Sequence, residues 1–184
     1  MQKYLITSKE FYTDKVSSFS SILKKQLIKH KPSYALFRDK TNQNYALQAE
    51  SFVKICKEFE EIKSFIHRDV KLAKKLNVSG VHLTSNQFDE IADAKKLGLE
   101  VIISTHTHKE VLKAQEFGAD AVTYSPIFLS PNKGKAKGID NLKELIKKSE
   151  IKIFALGGII EASQIKMIEK TKAYGFASIR YFYR

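Results

Sequence analysis

Val101-Ile102-Ile103 breaking at Ser104-Thr105-His106, Ala121-Val122-Thr123-Tyr124 breaking at Ser125-Pro126, and Ile151-Lys152-Ile153-Phe154-Ala155-Leu156 breaking at Gly157-Gly158 decide the fold. Each is a short β-branched or aromatic run that ends in a polar or glycine-rich turn, with a polar helix-like stretch after it. Repetition of strand, loop and helix gives parallel strands whose C-terminal ends all face one way. Any chemistry is expected on that side.

Working outward, further strands are expected at Lys3 to Ile6, Tyr34 to Arg38, Lys63 to His67, Gly80 to Leu83 and Gly175 to Ile179, with the three above at Glu100 to Ser104, Ala121 to Tyr124 and Lys152 to Leu156. Amphipathic stretches lie between them: Ser20 to His30, Ala46 to Phe59, Val70 to Leu76, Phe88 to Leu97, Lys109 to Phe117, Ile139 to Lys148 and Glu161 to Thr171. Gly98 and Gly118 stop two of these helices. Eight strands suffice for a closed parallel barrel. No linker or change of composition divides the chain, so residues 1–184 are expected to form one (β/α)8 TIM barrel. The last strand runs almost directly to Arg184, so a short version lacking the last helix is expected. A doubly wound open sheet competes, but its phosphate-binding glycines follow the first strand, where this chain has Thr7-Ser8-Lys9.

Composition bounds the function. With 43% hydrophobic residues, 184 residues are enough for one domain with a real core. The single Cys56 excludes an internal disulfide and sits on a helix face as a small apolar side chain. No signal peptide or membrane-length apolar run is read, and a cytoplasmic location without membrane association is expected. The formal charge of +12 would suit nucleic acid, an anionic surface or a phosphorylated small molecule. Most of that charge is lysine scattered along helices, whereas nucleic-acid readers gather arginine and aromatics on one face, so no nucleic-acid partner is expected.

Three turns carry candidate chemistry. Gly157 and Gly158 follow a buried strand and precede a helix; without Cβ atoms they let backbone N–H groups approach a phosphate, with the helix N-terminus behind them. A tight turn without a ligand is the alternative. The 125–138 loop, rich in Pro, Gly and Lys, reads as a flap over an anion or as a solvated loop. His106, in Ser104-Thr105-His106-Thr107-His108, is placed to exchange protons near neutrality; its spacing from His108 also permits a metal, but no carboxylate or cysteine partner lies nearby. His82 reads as a satisfied interior histidine.

These segments resemble, over nearly the whole chain, the thiamine phosphate synthase and thiazole tautomerase superfamily: Tyr4-Leu5-Ile6-Thr7, Phe37-Arg38-Asp39-Lys40, Gly80-Val81-His82-Leu83, Ser104-Thr105-His106, Gly118-Ala119-Asp120, Ser125-Pro126-Ile127-Phe128 with Lys133, and Ala155-Leu156-Gly157-Gly158-Ile159. The resemblance implies a TIM barrel, a phosphorylated small-molecule substrate and a homodimer. Synthases of this superfamily join a pyrimidine pyrophosphate to a thiazole phosphate, with magnesium held by aspartates. Arg38, Lys40, Ser104 and Lys133 match substrate-contacting positions; Ser130 and Asn132 stand where threonines are common. The Asn-Asp pair after the third strand falls on His67-Arg68, and Thr84-Ser85 replaces the run leading to the second aspartate. Lost carboxylates remove the hard ligands magnesium needs.

The fourth-strand loop resembles the tautomerase branch better. There a histidine at the position of His106 moves a proton within a thiazole carboxylate phosphate, without metal. The resemblance therefore implies a thiazole tautomerase-like enzyme of thiamine biosynthesis, with no cofactor and no metal ligand. His106 would be catalytic, Gly157, Gly158 and Arg180 would hold phosphate, and Arg38, Lys40, Ser104 and Lys133 would contact substrate. The alternatives are a divergent thiamine phosphate synthase and a catalytically silent phosphate-binding relative. With no last helix, Phe176, Tyr181 and Phe182 are expected to lie open unless a second copy or the Phe11 to Phe19 segment covers them; a homodimer is the expected answer.

Overall fold

The computed structural model describes residues 1–131 and 133–183; Asn132 and Arg184 lie outside them. Eight parallel strands close into a barrel in chain order: β1 (Gln2–Ile6), β2 (Tyr34–Phe37), β3 (Lys63–His67), β4 (Gly80–Leu83), β5 (Glu100–Thr105), β6 (Ala121–Tyr124), β7 (Lys152–Leu156) and β8 (Gly175–Ser178). Closure is made by β8 against β1, where Tyr4 pairs with Ala177 and Leu5 with Ser178.

Helices α1 (Lys9–Tyr12), α2 (Val16–His30), α3 (Tyr45–Cys56), α4 (Val70–Lys75), α5 (Ile91–Lys96), α6 (His108–Glu116), α7 (Gly138–Lys148), α8 (Ala162–Glu169) and α9 (Arg180–Tyr183) alternate with the strands. The strand readings hold to within a residue at each end. The helices differ more. The stretch from Phe88 splits into a 3-10 turn, Phe88–Glu90, and α5, and the region before Ser20 is helical from Val16, preceded by the single turn α1.

Alternation along the strands separates two cores. Outward-facing Leu5, Ala35, Ile66, Val81, Val101, Val122 and Ile153 pack under the helices. Tyr4, Tyr34, Phe65, Ile102 and Phe154 fill the barrel interior. Room for these rings comes from missing side chains: a Cβ on Gly80 would lie 2.5 Å from the Phe65 ring, and one on Gly175 would lie 2.6 Å from that of Phe154. The interior is thus a packed plug, as expected for a small barrel, and the plug confines any cavity to the strands' C-terminal ends.

The last strand does not run out bare. It enters the single turn α9, and the expected open apolar face is absent: Phe182 is 0% and Phe176 1% exposed. Their rings stack at 5.4 Å and 9°, and His30 meets Phe182 edge-on. The N-terminal segment covers the rest, with Phe11 and Tyr12 against Tyr183 at 4.9 and 6.0 Å and Gln26 Nε2 donating to the Tyr183 carbonyl. An open face at this point therefore no longer argues for a second copy. Among the described residues no helix is long and apolar enough to cross a membrane.

Candidate functional site

The strand ends and their loops surround a cavity of about 700 Å³. All eight residues singled out in the sequence line it: Arg38, Lys40, Ser104, His106, Lys133, Gly157, Gly158 and Arg180. They come from β2, β5, the flap, the β7 turn and the start of α9, so only the barrel's common polarity brings them together.

The floor is a hydrogen-bonded chain that rises from the plug. Tyr4 Oη lies 2.9 Å from His82 Nδ1, and His82 Nε2 lies 3.0 Å from Ser104 Oγ. Burial pushes the His82 imidazolium down to about 3, with a smaller contribution from the charge of Arg38. The ring is therefore neutral at pH 7. A neutral ring has one donor and one acceptor, so His82 donates to one of Tyr4 and Ser104 and accepts from the other, which ties the Ser104 hydroxyl to the plug. His82 is the satisfied interior histidine expected, and it also lines the cavity. His67 beside it, ring centroid 6.3 Å away, is pushed down to about 2, first by burial, then by the His82 ring and by the charges of Arg38, Arg68 and Lys40.

His106 stands just before α6. Its backbone N–H donates to the Glu110 carboxylate, which also forms the capping box with Thr107. Its Nδ1 lies 3.2 Å from both the carbonyl oxygen and Oγ of Ser125. A carbonyl oxygen only accepts, so a bond to it uses a proton on Nδ1, while the Ser125 hydroxyl can either donate or accept there. His108 goes elsewhere: its Nε2 lies 3.2 Å from Asn141 Oδ1, which also accepts from Tyr124 Oη. The two histidines whose spacing permits a metal are thus separated by function, one at the cavity and one in a structural bond.

The glycine turn has a structural and a binding face. Gly157 and Gly158 have φ of 98° and 70°. A Cβ on Gly157 would lie 2.7 Å from Pro126 Cα, and one on Gly158 would lie 2.4 Å from the Leu129 carbonyl oxygen. The flap base rests directly on the turn, bonded through Ile127 N–H to Leu156 and Phe128 N–H to Gly157. The α8 N-terminus, expected behind the turn, is capped by its own side chains. Glu161 and Gln164 cap that helix reciprocally, and Gln164 Oε1 takes the N–H groups of Ile160 and Glu161. A phosphate at this turn would meet the glycine backbone and the half-buried Arg180, not the end of α8.

The opposite wall is cationic. Arg38, Lys40, Arg68 and Lys133 line it, and Glu10 is the only carboxylate among the cavity's described lining residues. Glu10 escaped the sequence reading, and Phe11 was expected as a cover and not on the cavity, because α1 is one turn long and has no side-chain cap. Magnesium fits this wall poorly. Where the resemblance implies its ligands the chain has His67-Arg68 and, after Leu83, the run Thr84-Ser85-Asn86-Gln87 without a carboxylate; Asp69 caps α4 through Leu72 N–H at 2.8 Å. Among the described residues no group of three His, Cys, Asp or Glu is placed to hold a metal ion.

Comparison with known proteins agrees with this architecture. The profile of the thiamine monophosphate synthase family matches residues 3–182. A thiamine-phosphate synthase of Flavobacterium psychrophilum is 33% identical over 153 residues, 77% of this chain and 72% of that protein. A putative thiamine-phosphate synthase 2 of Aquifex aeolicus is 34% identical over 121 residues, 64% of each, and a thiamine-phosphate synthase of Bacillus licheniformis is 31% identical, with 53% of its length covered. Against these first relatives the chain spans between about half and three quarters of their length. Among solved structures, thiamine phosphate pyrophosphorylase from Pyrococcus furiosus superposes with a TM-score of 0.77 at 20% identity, covering 97% of this chain and 85% of that one. From barrel, rim and sequence together, this chain belongs to the thiamine monophosphate synthase family.

Proposed function

We propose that the protein joins two phosphorylated heterocycles of thiamine biosynthesis, a pyrimidine carrying a methylene diphosphate and a thiazole phosphate. The observation that carries the proposal is one cavity with two anion receptors, the cationic wall of Arg38, Lys40 and Lys133 and the glycine turn with Arg180. A tautomerase acting on a thiazole carboxylate phosphate would also present two anionic groups, but its second is a single carboxylate, for which a wall of three cations is more than is needed. In the reaction, the methylene C–O bond breaks with its electron pair leaving on the diphosphate, and the thiazole nitrogen lone pair forms the new C–N bond. Neutralising the leaving diphosphate is the protein's largest task, because fixed positive charge in a partly desolvated site stabilises charge as it develops. Ser104, held by His82 and lining the cavity, is placed to contact a substrate between the receptors. The relatives named above favour this reading over the tautomerase first expected.

A specific observation keeps the tautomerase as a second reading: His106 is fixed through Nδ1 and lines the cavity, which suits a proton shuttle. One experiment separates them. Incubation with pyrimidine diphosphate and thiazole phosphate, with and without magnesium, should yield thiamine phosphate and pyrophosphate in equal amounts; no product under either condition sinks the synthase reading. If thiazole carboxylate phosphate is isomerised instead, and His106→Ala abolishes that while phosphate binding persists, the second reading replaces it.

A further inference from the structure

We propose that this site takes a diphosphate group without a divalent cation, using the side chains of Arg38, Lys40, Arg68 and Lys133, with Arg68 standing where a metal-binding carboxylate would otherwise be. The inference rests on the reading of the cationic wall as a diphosphate receptor.

Four cationic side chains line one wall of a single cavity, and among the described residues none of them is paired with a carboxylate. Gathering four like charges with no ion pair among them is costly, and the cost is visible at Lys40. Its ammonium is held below the usual lysine range first by Arg38, then by burial, Lys133 and Arg68. An arriving polyanion would relieve that repulsion; an arriving Mg²⁺ would add to it.

Carboxylates are few here: Glu10 is the one on the cavity lining among the described residues, and the two aspartates beside the cations make bonds within their own loops. Asp39 Oδ1 accepts Thr41 N–H at 3.0 Å, and Asp69 caps α4. Arg68 itself is held in an unusual backbone state. Its φ is 70°, a conformation a side-chain-bearing residue adopts at a cost. The loop keeps it there: Arg68 N–H donates to the His82 carbonyl at 2.9 Å, and Gln87 Nε2 donates to the Arg68 carbonyl at 3.0 Å. Two fixed hydrogen bonds thus present a guanidinium beside Arg38 and Lys40. Guanidinium groups bind phosphate oxygens in pairs of parallel hydrogen bonds, which supplies the geometry a metal would otherwise impose.

Calorimetric titration with inorganic pyrophosphate tests this apart from turnover. In EDTA the wild-type protein should bind pyrophosphate, and Arg68→Gln and Lys40→Gln should each weaken binding by about tenfold or more. Both residues are exposed, so circular dichroism should show native folds. The free concentration of pyrophosphate must be matched when magnesium is added, since the metal complexes it; at equal free pyrophosphate, magnesium should not strengthen binding. Binding that appears only with magnesium, no binding in either buffer, or variants that bind as well as wild type would each overturn the inference. Pyrophosphate binding in EDTA without any condensation would instead remove the synthase reading and leave the metal-free receptor standing.

Discussion

At Gly158 one absent Cβ connects two parts of the site. The residue has φ of 70°, and an added Cβ would lie 2.4 Å from the Leu129 carbonyl oxygen and 2.7 Å from Phe128 backbone atoms. Neither contact is with the movable end of a side chain. Gly158→Ala should therefore cost about 2–4 kcal/mol, the sum of a left-handed alanine and a backbone clash, and should lift the flap base from the turn. Gly118 is the control: its φ is 82°, but nothing lies within 4 Å of an added Cβ, so Gly118→Ala should cost only the roughly 1–2 kcal/mol of the conformation. Urea unfolding measures the first effect and titration with inorganic phosphate the second. Equal stability of the two variants, with phosphate binding intact in both, would refute this account of the turn. The sequence marks the glycines, histidine and cations of the rim because each occupies a strand end. It does not mark Tyr4 as the partner of His82, 78 residues away, since nothing local to either residue encodes that bond.

At the scale of elements, strands were legible and short helices were not. A four- to six-residue apolar run has one reading in an alternating pattern, and the eight strands match to within a residue at each end. The turns α1 and α9 are four residues each, too short for a periodicity to register, and both are fixed by tertiary contacts. They pack on each other through Phe11, Tyr12 and Tyr183. Phe182 anchors α9, fully buried between Phe176 and His30. Phe182→Ala should destabilise the protein by about 3–5 kcal/mol, and Phe182→Leu by less. Because Arg180 begins the same turn, Phe182→Ala should also weaken inorganic phosphate binding if the guanidinium contributes to it. A loss below about 1 kcal/mol in urea unfolding would show that α9 is not an anchored part of the barrel.

For the molecule as a whole, the barrel brings charge to its mouth while keeping two histidines neutral beneath it. His67 and His82 are 8% and 2% exposed, between the aromatic plug and the cationic rim, and are pushed down to about 2 and 3, in each case chiefly by burial. An unfolded histidine titrates near pH 6.5. Below that pH the unfolded chain takes up protons that the folded barrel refuses, so the stability these residues confer is complete above about pH 6.5 and falls as the pH drops toward their folded values. By pH 5, where most carboxylates are still ionised, each accounts for up to roughly 2 kcal/mol of lost stability. Urea unfolding at pH 7.5, 6.0 and 5.0 should show that decline, and His67→Gln and His82→Gln should each make it shallower. The variants differ otherwise: His82→Gln also breaks the bonds to Tyr4 and Ser104 and should lower stability at pH 7.5 as well. A wild-type stability that stays level from pH 7.5 to 5.0 would mean that protons reach these rings in the folded state, and that the floor of the cavity is wetter than its packing indicates.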